Sequence, residues 1–235
     1  MGRCAVLVAF ASALFGADEL RTPGEEVLVE LDAALLAGDS GRAARLLGEA
    51  GEIFRFPASE EEAQRLLLAA AEATKARDHA VAAAAFRALG ATGSELAVPH
   101  LEPHLRSLAC TADEEPSRVE AVRAAGRLLA PALVAPLANL ARKCESATVA
   151  EQAFFSLGAF ARAPTELRKQ VVGRVLEAAA ALERASGREE ARARRLRPAA
   201  LRALQRLVGI PLSSVRQYEQ CWSVVKDRED PFPRG

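Results

Sequence analysis

Large side chains are scarce in this chain. Aromatics make up 5% of its 235 residues, with one tryptophan and one tyrosine, and methionine occurs once. A single wide core would need many such side chains. Half of the residues are apolar, but much of that half is alanine, which suits a thin core spread over many close helix contacts. An excess of charge is missing too. The 31 basic residues balance 31 acidic ones, so no overall field draws the chain to nucleic acid or an anionic membrane. There is no Gly-rich phosphate loop, nucleophile elbow, paired-cysteine zinc motif or His-Glu-x-x-His string. The expectation is no catalytic residue, no cofactor and no metal. Apolar–polar alternation never lasts beyond a few residues, which excludes an extensive sheet.

What is present is a block that returns. Val81–Gly90 is echoed by Ala121–Leu129, by Val149–Gly158 and around Pro198–Leu204. The leucines Leu89, Leu129, Leu157 and Leu204 lie roughly 40, 28 and 47 residues apart, which brackets the period of helical-pair repeats. Such a unit cannot bury its apolar stripe alone, so neighbours must stack. The expected fold is all-α, an α-solenoid of about five antiparallel helical pairs with a C-terminal capping helix. It would span residues 22–226, with 227–235 a mobile tail.

Start signals punctuate the chain. Thr22 precedes Pro23 and Glu25, Ser59 pairs with Glu62, Thr92 with Glu95, and Ser214 with Gln217. Between them run stripes such as Val27, Leu28, Leu31 and Leu35. The turn Gly38–Gly41 and the break Phe54–Pro57 separate the first helices. Tyr218, Trp222 and Val225 are placed to plug the open end, since terminal units need a cap.

Residues 1–17 read differently. Arg3 precedes an apolar run from Cys4 to Phe15, and Ala11–Ala13 or Phe15–Ala17 offers a small-residue exit before Asp18 and Glu19. That order predicts a secretory signal peptide and an exported protein. The run is about a dozen residues, short of the roughly 20 a spanning helix needs. Cys110, Cys144 and Cys221 would remain. Cys110 and Cys144 fall at similar places in successive units, so a disulfide between them comes into view. Helix spacing of about 8–10 Å argues against it.

The Ala-rich blocks with a Leu-Gly close resemble HEAT repeats. Ala97–Leu105, with Pro99 and Pro103, is similar to the opening of a HEAT first helix. Leu201–Gly209 through Tyr218–Trp222 is similar to the close of exported bacterial HEAT-repeat proteins, where a Leu-Thr-Gly-like step leads into a Trp-x-x-Trp-Trp cluster. Here Val208 replaces the threonine, and Tyr218 and Cys221 replace the first two tryptophans. The resemblance covers roughly residues 60–225, and the first pair equally resembles a tetratricopeptide-like hairpin. It implies a protein-interaction scaffold and brings no general catalytic residues.

In a HEAT-like stack the second helices line the concave side. Arg87, Arg127, Phe155 and Arg202 then form one ridge, with Arg123 and Gln152 beside it. Arginine and aromatics suit a protein partner, although the plainer reading makes Phe155 core with arginine stems lying over it. Arg188, Arg192, Arg194, Arg195 and Arg197, joined by Arg184, Arg202 and Arg206, make the helix at 188–206 basic. The alternative function is a cytoplasmic helical-repeat enzyme or a nucleic-acid or anionic-ligand binder using that helix. Against it, no aromatic platform for base stacking accompanies the run, and Glu189 and Glu190 can pair with Arg192 and Arg194. His100 and His104 have metal-ligand spacing, but the stripe Val98, Leu101, Leu105 and Leu108 leaves both turned toward its edge or outward, as solvated histidines. The leading expectation is an exported, non-enzymatic scaffold for a protein partner.

Overall fold

The computed structural model describes residues 22–57 and 59–232. The signal peptide expected over 1–17, with Cys4, lies outside them. Among the described residues the chain is all-α: eleven α-helices, four short 3-10 turns and no strand. The helices are α1 (Pro23–Ala37), α2 (Ser40–Ile53), α3 (Glu60–Ala73), α4 (His79–Ala91), α5 (Val98–Arg106), α6 (Glu115–Leu128), α7 (Val134–Lys143), α8 (Ala147–Ala159), α9 (Thr165–Arg184), α10 (Glu190–Val208) and α11 (Val215–Val225).

Short polar side chains start most of them. Thr22 and Glu25 form a reciprocal capping box on α1, and Ser59, Asp78, Ser146 and Ser214 each accept an amide of the first turn. Thr92 works differently from its expected role. It closes α4, donating its hydroxyl to Leu89 O at 2.7 Å, and Ser94 caps the turn that follows. Gly38 and Gly209 end α1 and α10 in the left-handed conformation that glycine adopts without strain. Leu129 takes the same role after α6 at φ 51°.

The helices pack as consecutive pairs, α1 on α2 through α9 on α10, and the pairs line up in two rows. In the even row α2, α4, α6, α8 and α10 follow one another in broad contact. The odd row is looser, and α3 and α5 make little or no contact. Glycine explains the difference. A Cβ on Gly90 would lie 2.7 Å from Ala124 Cα, one on Gly126 2.8 Å from the Ser156 side chain, and one on Gly158 3.3 Å from Ala203 Cα. Gly51 meets Ala88 Cα in the same way, at 3.5 Å. Backbone therefore rides directly on backbone along the whole row. The core between the rows is Leu, Val and Ala, with Phe86, Phe154 and Phe160 its buried phenylalanines around the middle of the chain.

Both ends are tied down. At the start, the buried Glu62 of α3 accepts from Gly24 N at 2.9 Å and from the Thr22 hydroxyl, so a carboxylate sits on the positive end of α1. At the finish, the buried Tyr218 hydroxyl donates to Ile210 O at 2.8 Å and accepts from Leu212 N at 3.0 Å. Within the segment 227–235 expected to be a mobile tail, the described residues end with Phe232 packed on the body. Phe232 is 7% exposed, stacks on Trp222 with ring centres 6.0 Å apart, and lies 3.6 Å below the Arg168 guanidinium.

Gly90→Ala forces two backbones apart and should lower unfolding free energy by about 1–3 kcal/mol in denaturant titrations. Gly48, also inside a helix, has nothing within 4 Å of an added Cβ. Gly48→Ala should stabilise by about 0.5–1 kcal/mol.

Candidate interaction surface

The glycine contacts set the register between even-numbered helices. The small residue that receives each glycine is Ala88, Ala124, Ser156 or Ala203. The residues one step before these are Arg87, Arg123, Phe155 and Arg202. Arg123, not Arg127, is therefore the member of the ridge on α6. Alignment by leucines shifts that block by four, because Leu129 lies beyond the helix in its left-handed cap. Arg127 sits one turn further along, its stem over Gly90, as the stem of Arg206 lies over Gly158.

These side chains form a continuous line across four helices. Glu120, which lies outside the expected ridge, has a side chain only 12% exposed and holds Arg123 at 2.7 Å and Arg87 at 3.9 Å. Its i, i+3 spacing to Arg123 was the available signal. Arg123 Nε donates to Gln152 Oε1 at 3.2 Å, and the Ser156 hydroxyl donates to Val122 O at 2.8 Å. Arg202 stands 5.3 Å from the Phe155 ring centre, within cation–π range. Phe155 is half-buried against the core, so the plainer reading of that residue holds in part. The guanidiniums of Arg87 and Arg123 stay about half exposed, at 53% and 48% of their side chains.

Two arginines of the basic helix, Arg192 and Arg197, turn inward to neighbouring helix ends, while Arg194, Arg195, Arg202 and Arg206 stay exposed. Arg192 donates to Cys144 O at 2.8 Å and Arg142 O at 3.1 Å, over the last turn of α7. Arg197 donates to Leu182 O at 2.9 Å near the end of α9 and pairs with Glu190 at 3.2 Å. Arg118 does the same on α5, reaching His104 O at 2.7 Å and Ser107 O at 2.9 Å, and Arg168 reaches Leu207 O at 2.6 Å on α10. A helix C-terminus carries unpaired carbonyls and partial negative charge, so a guanidinium satisfies both. Burial pulls the pKa of Arg192 and Arg168 down from the usual arginine range. Arg194 pairs with Glu190 at 3.8 Å, and Arg195 reaches the Thr148 hydroxyl at 3.3 Å.

His104 is not turned to solvent. It is half-buried edge-on to Phe86, ring centres 4.8 Å apart, and burial followed by the nearby Arg118 charge holds its pKa below the ordinary histidine value. Among the described residues no three His, Cys, Asp or Glu gather as a metal-binding group. Cys110 and Cys144 come to the same edge, where Glu145 N donates to Leu108 O at 3.2 Å. Both are free thiols, each pushed up in pKa chiefly by burial. Two shallow depressions flank α9. One, about 190 Å³, is lined by Asn139, Arg142, Arg174 and Glu177. The other, about 420 Å³, is lined by Glu183, Arg184, Ser214, Arg216 and Glu219. Among the described residues no helix is long and apolar enough to cross a membrane.

No protein-family model and no curated protein matches this sequence. The chain is similar to the crystal structure of an engineered protein from the Northeast Structural Genomics Consortium. The two superpose with a TM-score of 0.55 over 89% of this chain and 91% of that one, at 16% identity. At that identity the likeness shows the fold alone.

Arg192→Met leaves carbonyls of α7 without a donor and should cost about 1–3 kcal/mol in thermal or denaturant unfolding, whereas exposed Arg194→Gln should stay within about 0.5 kcal/mol. Burial keeps His104 neutral to lower pH in the fold than in the unfolded chain, which takes up its proton at about pH 6.5. Its contribution is complete above that pH and is lost as pH falls below it. The drop in melting temperature between pH 7 and 5 should be smaller in His104→Gln than in the parent.

Proposed function

We propose that this chain is a HEAT-type α-solenoid of five helical pairs closed by α11, and that it is a non-catalytic scaffold holding a protein partner on its even-numbered helices. The observation that carries this reading is the ridge Arg87–Arg123–Phe155–Arg202, one residue from each of four successive even-numbered helices, tied together by Glu120 and Gln152. Tight spacing in the even row and loose spacing in the odd row bend such a stack toward the even side, making the ridge the inner face. Interfaces of this kind draw on arginine and aromatic side chains presented on rigid elements. The alternative of an anion site on the basic helix is weakened by the engagement of Arg192 and Arg197 with helix ends. The charge and hydropathy order of residues 1–17 supports export of the scaffold.

Affinity capture from native extract tests the scaffold. The parent should recover a protein that the variant carrying Arg87→Glu, Arg123→Glu and Arg202→Glu does not, at unchanged helicity by circular dichroism. Equal recovery by both would remove the ridge from the function. Amino-terminal sequencing of the native protein should begin near Leu14 or Asp18, and a start at Met1 or Gly2 would place the protein in the cytoplasm.

A further inference from the structure

The even face is strongly cationic although the whole chain is neutral. Arg87 stands on α4, Arg123 and Arg127 on α6, and Arg195, Arg202 and Arg206 on α10, all exposed. Glu120 and Glu151 are the acids on the same stripes of α6 and α8. Glu120 is shared between two guanidiniums, so it orients Arg87 and Arg123 side by side and neutralises only one. Arg127, Arg202 and Arg206 have no ion pair among the described residues, and Arg195 has a hydroxyl as its partner. A guanidinium of this kind binds a carboxylate through two parallel N–H donors. Base stacking has little to use here, because the ridge offers one aromatic, Phe155, and that ring is partly buried against the core.

The spacing narrows the ligand further. Glycine contacts hold neighbouring even helices at the close end of about 8–10 Å. An extended peptide advances about 3.3 Å per residue, so one helix corresponds to roughly three residues. Resting on the scaffold reading above, we propose that the ridge takes an extended acidic peptide segment crossing α4, α6, α8 and α10. Its carboxylates face Arg87, Arg123 and Arg202, and an apolar residue faces Phe155. In peptide terms this is an acid at positions 1, 4 and 10 with an aliphatic side chain at position 7.

Fluorescence anisotropy with labelled decapeptides tests the assignment. One peptide carries Glu at positions 1, 4 and 10 and Leu at 7, and the control has the same composition with Leu and one Glu exchanged. The first should bind more tightly than the control, weaken as salt is raised, and lose about ten-fold or more in affinity to the triple Arg→Glu variant. A triple Arg→Gln variant, with less perturbation of Glu120, should lose affinity in the same order but by less. Equal binding of the two peptides overturns the spacing, and tighter binding of a single-stranded oligonucleotide overturns the acidic peptide in favour of nucleic acid. If neither peptide binds while affinity capture still depends on the ridge, the acidic assignment fails and the scaffold stands. If capture is also indifferent to the ridge, both fail.

Discussion

Backbone contact between glycine on one even-numbered helix and a small residue on the next is the constraint from which the rest of the molecule follows. Gly51, Gly90, Gly126 and Gly158 each face the Cα or Cβ of a residue on the following even helix. Helices that meet this closely cannot slide past one another without a clash, so the contact fixes separation and register together. It also dictates where large side chains go. Barred from the even seam, they fill the space between the rows, where alanines pad the remaining gaps. A thin core of this kind is why one tyrosine and nine phenylalanines suffice for 235 residues.

Arginine performs two tasks, distinguished by where its stem begins. Arg118, Arg168, Arg192 and Arg197 start beside the ends of neighbouring helices and bring their donors to unpaired carbonyls. Arg87, Arg123 and Arg202 start on the solvent-facing stripe of the even row and keep their guanidiniums exposed. The first group ties one helix to another at points where glycine packing cannot act. The second leaves its charge exposed on the surface of the even row. A count of basic residues along the sequence merges the two groups.

Much of the helix layout was legible because caps and turns are written locally. Thr22 with Glu25, Ser59 with Glu62 and Ser214 with Gln217 start helices where their spacing says they should. Thr92 misled because the same hydroxyl can start one helix or close another, and Ser94 two residues on competed for the start. The ridge was legible in kind but not in register. Leu89 and Leu129 look alike in sequence, whereas the contact that sets the register is made by glycine, which has no side chain to align on. Glu120 was legible only in part, since its i, i+3 pairing with Arg123 is local while its contact with Arg87 is made on another helix. The return of Phe232 to Trp222 is likewise a tertiary event with no local signal.

The unequal tightness of the two rows has a mechanical consequence. When a layered body bends, one surface keeps its length while the others stretch or shorten, and the stiffest layer holds that neutral surface. Here the even row is nearly incompressible, because its backbones are already in contact. The odd row has slack, most of all between α3 and α5. Flexing the stack therefore opens or closes the odd side and leaves the distances between Arg87, Arg123, Phe155 and Arg202 almost unchanged. The ridge behaves as a ruler laid along the stiff edge of a pliable strip, keeping its graduations while the strip curves.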